Sequence, residues 1–206
     1  MPPASEREER RRRFFDQAAE GWEERHYPPE IRARLEPFLA RLATAPGLTI
    51  LDAGCGRGIL LPHLRRLGGR DARLIALDAS AAMLRGVADK DPGAVALHAR
   101  AESIPLIDAY VDRVLCFAAF PHFEDQAGAA REFHRVLKPG GLALVLHLAS
   151  AKAVNRHHED HPAVRGDRLP DEKTMRDLFL RVGFVRVSLE ESADSYCFSA
   201  EKEGKR

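Results

Sequence analysis

Residues 48–58 read Leu-Thr-Ile-Leu-Asp-Ala-Gly-Cys-Gly-Arg-Gly: a short apolar run, one carboxylate, then glycine at alternate positions. A strand that feeds a glycine turn, with a helix opening behind it, brings bare backbone close to a ligand that a Cβ would exclude. Gly-x-Gly-x-Gly alone is a weak signal. It gains weight from the next apolar run, Leu74-Ile-Ala-Leu-Asp78, which ends on a carboxylate 20 residues past Gly58. That separation suits a carboxylate accepting from both hydroxyls of a ribose. Ser80-Ala-Ala-Met-Leu follows, so Asp78 also suits a helix start, and both roles are compatible.

The texture repeats downstream. Strands are predicted at 73–77, 94–98, 111–117 and 142–148, and helices at 59–67, 80–88, 126–137 and 171–182. Pro62 falls in a first helical turn, where proline is tolerated. The run 142–148 is almost continuously apolar, the mark of a strand covered on both faces. Strand–helix alternation predicts a Rossmann-like, doubly wound α/β sheet. Residues 185–189 and 196–200 alternate apolar and polar, which predicts an antiparallel pair at the sheet edge. Residues 149–169 are polar and His-rich and read as a long loop, with Lys138-Pro-Gly-Gly141 as a turn before the fifth strand.

Ahead of the sheet, Ser5 and Glu8 have capping-box spacing. Phe14, Phe15, Ala18 and Trp22 continue an apolar stripe, broken by Gly21 and Pro28-Pro29. A second helix is predicted over 29–43, with Ile31, Leu35, Phe38, Leu39 and Leu42 facing inward and a kink at Pro37. The expected organisation is an N-terminal helical cap (1–45), a core (46–201) and a flexible tail (202–206).

Composition narrows the function. The 206 residues suit one domain. Lys+Arg 32 against Asp+Glu 31 leaves a net charge of +1, so no broad basic footprint for nucleic acid exists. The charge run at 5–13 includes glutamates and reads as a solvated helix face rather than an RNA-binding arm. Three cysteines, Cys55, Cys116 and Cys197, do not make a disulfide framework and fit a reducing compartment. No apolar run reaches the ~20 residues of a membrane span, and no signal-peptide core is visible, so a cytoplasmic location is expected.

The turn and its neighbours resemble class I S-adenosylmethionine (SAM)-dependent methyltransferases. The likeness takes in Leu51 to Gly58, Leu77-Asp-Ala-Ser-x-x-Met83-Leu84, Ala101-Glu-Ser-Ile-Pro-Leu106, Asp112-Arg-Val-Leu-Cys116 and Arg135-Val-Leu-Lys-Pro-Gly-Gly141. The opening Phe14-Phe-Asp16-x-x-Ala-x-x-Trp22 is similar to the ubiquinone/menaquinone-biosynthesis type of small-molecule methyltransferase. The resemblance implies a seven-stranded, mostly parallel sheet with one antiparallel strand near the edge. It implies SAM as cofactor and S-adenosylhomocysteine as product. Asp52, Gly54, Cys55 and Gly56 would then meet the methionine end, Asp78 the ribose, and Ala79 and Met83 the adenine. Ala101 and Glu102 would border the adenine amine, where relatives carry Asp and this chain carries Arg100. Cys116 would touch the methionine portion through its backbone.

Methyl transfer from a sulfonium is an in-line displacement, so the protein mainly aligns the acceptor and removes its proton. Six of the nine histidines fall between His122 and His161, on segments expected to meet at one rim of the sheet. They suit a substrate or metal site. His122 and His147 are the expected inner, catalytic pair, with His158 on a lid and Tyr27 reaching the substrate from the cap. No His-Glu-x-x-His is present, and no metal ligands are assigned. The segment after the fourth strand reads Ala-Ala-Phe-Pro-His-Phe, not the Asp/Asn-Pro-Pro-aromatic of enzymes that methylate base amines. A small-molecule acceptor is therefore expected. The alternatives are a non-catalytic SAM- or metal-binding module and an RNA or protein methyltransferase. An NAD-dependent oxidoreductase lacks its Gly-x-Gly-x-x-Gly and a Tyr-x-x-x-Lys pair.

Overall fold

The computed structural model describes residues 5–40 and 47–204. Seven strands form one sheet in the order β3-β2-β1-β4-β5-β7-β6. They are β1 (Thr49–Ala53), β2 (Arg73–Asp78), β3 (Val95–His98), β4 (Val111–Phe117), β5 (Leu137–His147), β6 (Phe184–Glu191) and β7 (Tyr196–Lys202). The first five pair in parallel. β7 runs antiparallel to both β5 and β6, so it is the one reversed strand, beside the edge as expected.

The central strands are apolar on both faces because helices cover both. Leu51, Ile75, Leu77, Val114, Cys116, Ala143 and Val145 join one buried cluster. Ile50, Leu74, Ala76, Leu115, Phe117, Leu144 and Leu146 join the other. The strict alternation between clusters is the pleat; the unbroken apolar sequence is its double burial.

In chain order the helices are α1 (Glu6–Ala18), α2 (Trp22–His26), α3 (Pro29–Ala33), α4 (Glu36–Leu39), α5 (Leu61–Gly68), α6 (Ala81–Leu84), α7 (Val87–Lys90), α8 (Gln126–Val136), α9 (Ala151–Asp160) and α10 (Glu172–Arg181). Ser5 caps α1 by accepting from the Glu8 amide at 3.1 Å, as its spacing predicts.

Five expectations change. The helix predicted at 29–43 is two short ones, interrupted at Arg34 and Leu35 ahead of Pro37; its continuation through Leu42 and Ala43, and the cap–core boundary, lie outside the described residues. The helix predicted at 80–88 divides at Arg85-Gly86 into α6 and α7. β5 starts at Leu137, and Lys138 to Gly141 form an irregularity inside it: Val111 pairs with Leu137 but Arg113 already pairs with Leu142. The loop predicted at 149–169 contains α9, capped by Ser150, whose side chain accepts from the Ala153 amide at 3.3 Å. β7 also runs to Lys202, one residue into the stretch expected to be tail. Among the described residues no helix is long and apolar enough to cross a membrane.

Candidate functional site

β1, β2 and β4 end at one cleft, at the point where the sheet order turns from β1 to β4. Gly54 holds φ +76°, and a Cβ there would stand 2.3 Å from the Cβ of Ala119. Gly56 holds φ +53° and faces open space. The Gly54 and Cys55 amides donate to the Leu77 carbonyl at 2.8 and 3.0 Å, tying the turn to β2. Gly54→Ala adds left-handed strain to a clash with Ala119, so it should cost at least ~2 kcal/mol of stability. A lowered melting temperature, with loss of nucleoside binding, is the expected result.

Asp78 is fixed from both sides. Its Oδ1 accepts from the Ser80 amide at 2.8 Å and its Oδ2 from the Gly56 amide at 2.9 Å. Each oxygen keeps a lone pair for a hydroxyl. Burial pushes this carboxyl above its ordinary range. The α6 cap is Ser80, whose Oγ accepts from the Met83 amide at 3.1 Å and donates to Asp16 of α1. Ala79 and Met83 line the cleft beside Asp78.

Asp52 is 1% exposed and its Oδ2 has no partner among the described residues. Burial, with the charge of Asp78 added, pushes its carboxyl up to about 8. An unsatisfied buried carboxylate beside an open glycine turn fits a ligand that brings a cationic amine. In the free protein the group holds its proton up to about pH 8, and a cation selects the ionised form. Binding at pH 7 should therefore release protons, and affinity should rise with pH until it levels near 8. Titrations in two buffers of different ionisation heat measure this, and Asp52→Asn should abolish the release. The folding sign is opposite. A folded value of about 8 against the ordinary 3.8 means that stability falls as pH rises through that window.

Ala101 and Glu102, expected at the adenine, line the cleft. Arg100, at the departure from the family pattern, is not free: its Nε pairs with Glu8 of α1 at 2.9 Å and with Glu102 at 3.4 Å. Cys55 lines the cleft. Cys116 does not; it is wholly buried on the sheet face toward α8, and Phe117, Ala118 and Ala119 supply the wall instead. Burial drives both thiols well above their usual value, so they stay protonated.

The expected histidine pair separates. His122 lines the cleft. Its Nδ1 is 2.7 Å from Oδ2 of Asp167, and its ring lies 5.2 Å from Phe15. His147 does not line the cleft. It is 4% exposed with Nε2 unpartnered, packed edge-on to Tyr196. Burial, then the neighbouring His122 and His158, lower it to about 3, so it is neutral. His158 sits on α9, 7% exposed, with Nδ1 2.8 Å from the Asp167 carbonyl: a packed helix residue, not a lid. Tyr27 reaches the cleft and packs on Phe117, with burial and then Glu23 raising its phenol to about 12.

The sequence reading missed Asp167 and Arg11. The Asp167 carboxylate accepts from Arg11 Nε at 2.9 Å and Nη2 at 2.8 Å, and from Arg7 at 2.8 Å. Burial would raise its pKa, but the His122 and Arg11 hydrogen bonds outweigh this and hold it below its usual range. Arg11 also donates to the His122 carbonyl. The overlooked signal was helical: Arg11 lies one turn before Phe14 and Phe15, on the stripe that faces the sheet. Among the described residues no group of three or more His, Cys, Asp or Glu could hold a metal ion.

Comparisons with known proteins agree on one theme. A family described as "Methyltransferase domain" matches residues 51–145. An uncharacterized methyltransferase of Schizosaccharomyces pombe is 33% identical over 175 residues, covering 82% of this chain and 67% of that one. A malonyl-[acyl-carrier protein] O-methyltransferase of Yersinia pestis is 41% identical over 105 residues, 50% of this chain and 38% of that one. A ubiquinone/menaquinone biosynthesis C-methyltransferase of Vibrio cholerae is 37% identical over 107 residues, 49% and 41%. The matches thus span less than half the length of the last two. Among solved structures, phosphoethanolamine N-methyltransferase 2 of Haemonchus contortus, in complex with phosphomonomethylethanolamine and S-adenosylhomocysteine, superposes with a TM-score of 0.78 at 15% identity, over 98% of this chain and 61% of that one.

Proposed function

The chain belongs to the class I SAM-dependent methyltransferases, and from that premise we propose that it methylates a small-molecule acceptor whose departing proton is taken by His122. The observation that carries the reading is the His122–Asp167 contact of 2.7 Å at the cleft wall. A carboxylate on Nδ1 fixes the tautomer that leaves Nε2 as the basic nitrogen and steadies the imidazolium once it forms.

SAM, when bound, supplies an activated methyl group on a sulfonium. The chain's residues do the rest. Asp78 holds the ribose, Ala79, Met83, Ala101 and Glu102 enclose the adenine, and Asp52 with the Gly54–Gly56 backbone receives the amino-acid end. Phe15 of α1, Trp22 of α2 and Tyr27 just after it cover the cleft, exclude water and limit the acceptor's size. Arg11 and Asp167 pin that cap to the segment bearing His122, so closing the cap and orienting the base are one arrangement. His147 and His158 pack behind the base. A relative named for ubiquinone/menaquinone biosynthesis leans the same way. The balanced charge and the ion-paired α1 face do not favour an RNA partner.

Incubating the protein with methyl-labelled SAM and a fractionated cell extract tests this. Label is expected in the small-molecule fraction. Label recovered only in RNA or protein would overturn the acceptor assignment.

A further inference from the structure

The cleft contains a further buried carboxylate that the donor residues named above do not include. Glu23, the second residue of α2, lines the cleft, is 2% exposed, and has an Oε1 with no partner among the described residues. Its Oε2 is held by Lys90 Nζ of α7 at 2.5 Å. The Lys90 side chain passes 3.6 Å from where a Cβ on Gly58 would stand, so the lysine that holds Glu23 lies against the end of the glycine turn. On its other side is Tyr27, one helical turn on, whose phenol feels the Glu23 charge and whose ring packs 5.3 Å from Phe117. Asp52 borders the same region: it pairs in register with Leu115, two residues before Phe117. Glu23 and Asp52 thus line the same cleft, and each has one buried oxygen without a partner among the described residues.

We propose that Glu23 is a donor-binding residue, its free Oε1 accepting from the α-ammonium at the amino-acid end of the methyl donor. The inference rests on the donor-site reading above. Lys90 already pairs with one oxygen, and what is left unmet is the buried acceptor Oε1, which is costly until a donor arrives. The ammonium offers three N–H groups, enough for two carboxylates and a backbone carbonyl. Because Glu23 belongs to the cap, the donor itself would then draw the cap closed before the acceptor reacts.

Calorimetric titration with two ligands tests this: S-adenosylhomocysteine, and 5′-methylthioadenosine, the same nucleoside thioether without an amino-acid end. Glu23→Gln should weaken S-adenosylhomocysteine about tenfold and change 5′-methylthioadenosine by less than about twofold. Lys90→Met breaks the ion pair but keeps the carboxylate, so it should retain the preference for S-adenosylhomocysteine. Equal weakening of both ligands by Glu23→Gln, no weakening of either, or a Lys90→Met that copies Glu23→Gln would each overturn the proposal and leave Glu23 as a cap anchor or an idle group. If the unmodified protein takes up neither ligand, the donor site itself is wrong. Melting curves confirm that the variants are folded.

Discussion

Asp78→Ala is expected to weaken S-adenosylhomocysteine binding by at least ~10²-fold, with the fold retained. The carboxylate is presented by two backbone amides and would accept from two ribose hydroxyls. Hydrogen bonds to a charged group contribute ~1.5–3 kcal/mol each, so losing two costs ~3 kcal/mol or more, and each ~1.4 kcal/mol is tenfold in affinity. Asp78→Asn keeps one acceptor oxygen and should fall between, at ~10-fold. Removing a buried charge also relieves the desolvation that raises this pKa, so stability should change little. Calorimetry reads the affinity and thermal melting reads the fold. A loss of affinity that simply tracks a loss of fold would speak against a ribose contact.

The second large effect concerns turnover. His122→Ala should lower kcat by ~10²–10⁴-fold, the usual contribution of a general base, while S-adenosylhomocysteine affinity stays within about threefold. His122 lines the cleft beside Phe15, and the proposed donor contacts do not pass through it. His147→Leu provides the contrast. That ring is buried and neutral outside the cleft, so the variant should keep most of its turnover. If His147→Leu were as inactive as His122→Ala, the cluster would act through packing rather than as a base at the cleft.

The sequence was most legible where geometry demands a particular residue type. The turn at Gly54 and Gly56 needs left-handed backbone, and that requirement shows in the letters themselves. The central strands were readable because double burial leaves an unbroken apolar run. α9 was hidden because its inward face is Ala151, Val154 and His158, which carries little apolar contrast. The His122–Asp167–Arg11 assembly was hidden for another reason. Its partners lie 45 and 156 positions apart, and no local pattern encodes such a meeting. His147 looked like a partner of His122 from its place at the end of the fifth strand alone. Strand parity places it on the face of Ala143 and Val145, under Tyr196, and removes it from the cleft wall.

A crystal structure grown with S-adenosylhomocysteine bears most directly on the whole account. It should show the two ribose hydroxyls on the Asp78 carboxylate, the homocysteine chain across Gly54 and Gly56, and its ammonium turned toward Asp52. An unfilled cleft under saturating ligand, or a nucleoside seated elsewhere with Asp78 directed away from it, would contradict the account at its root.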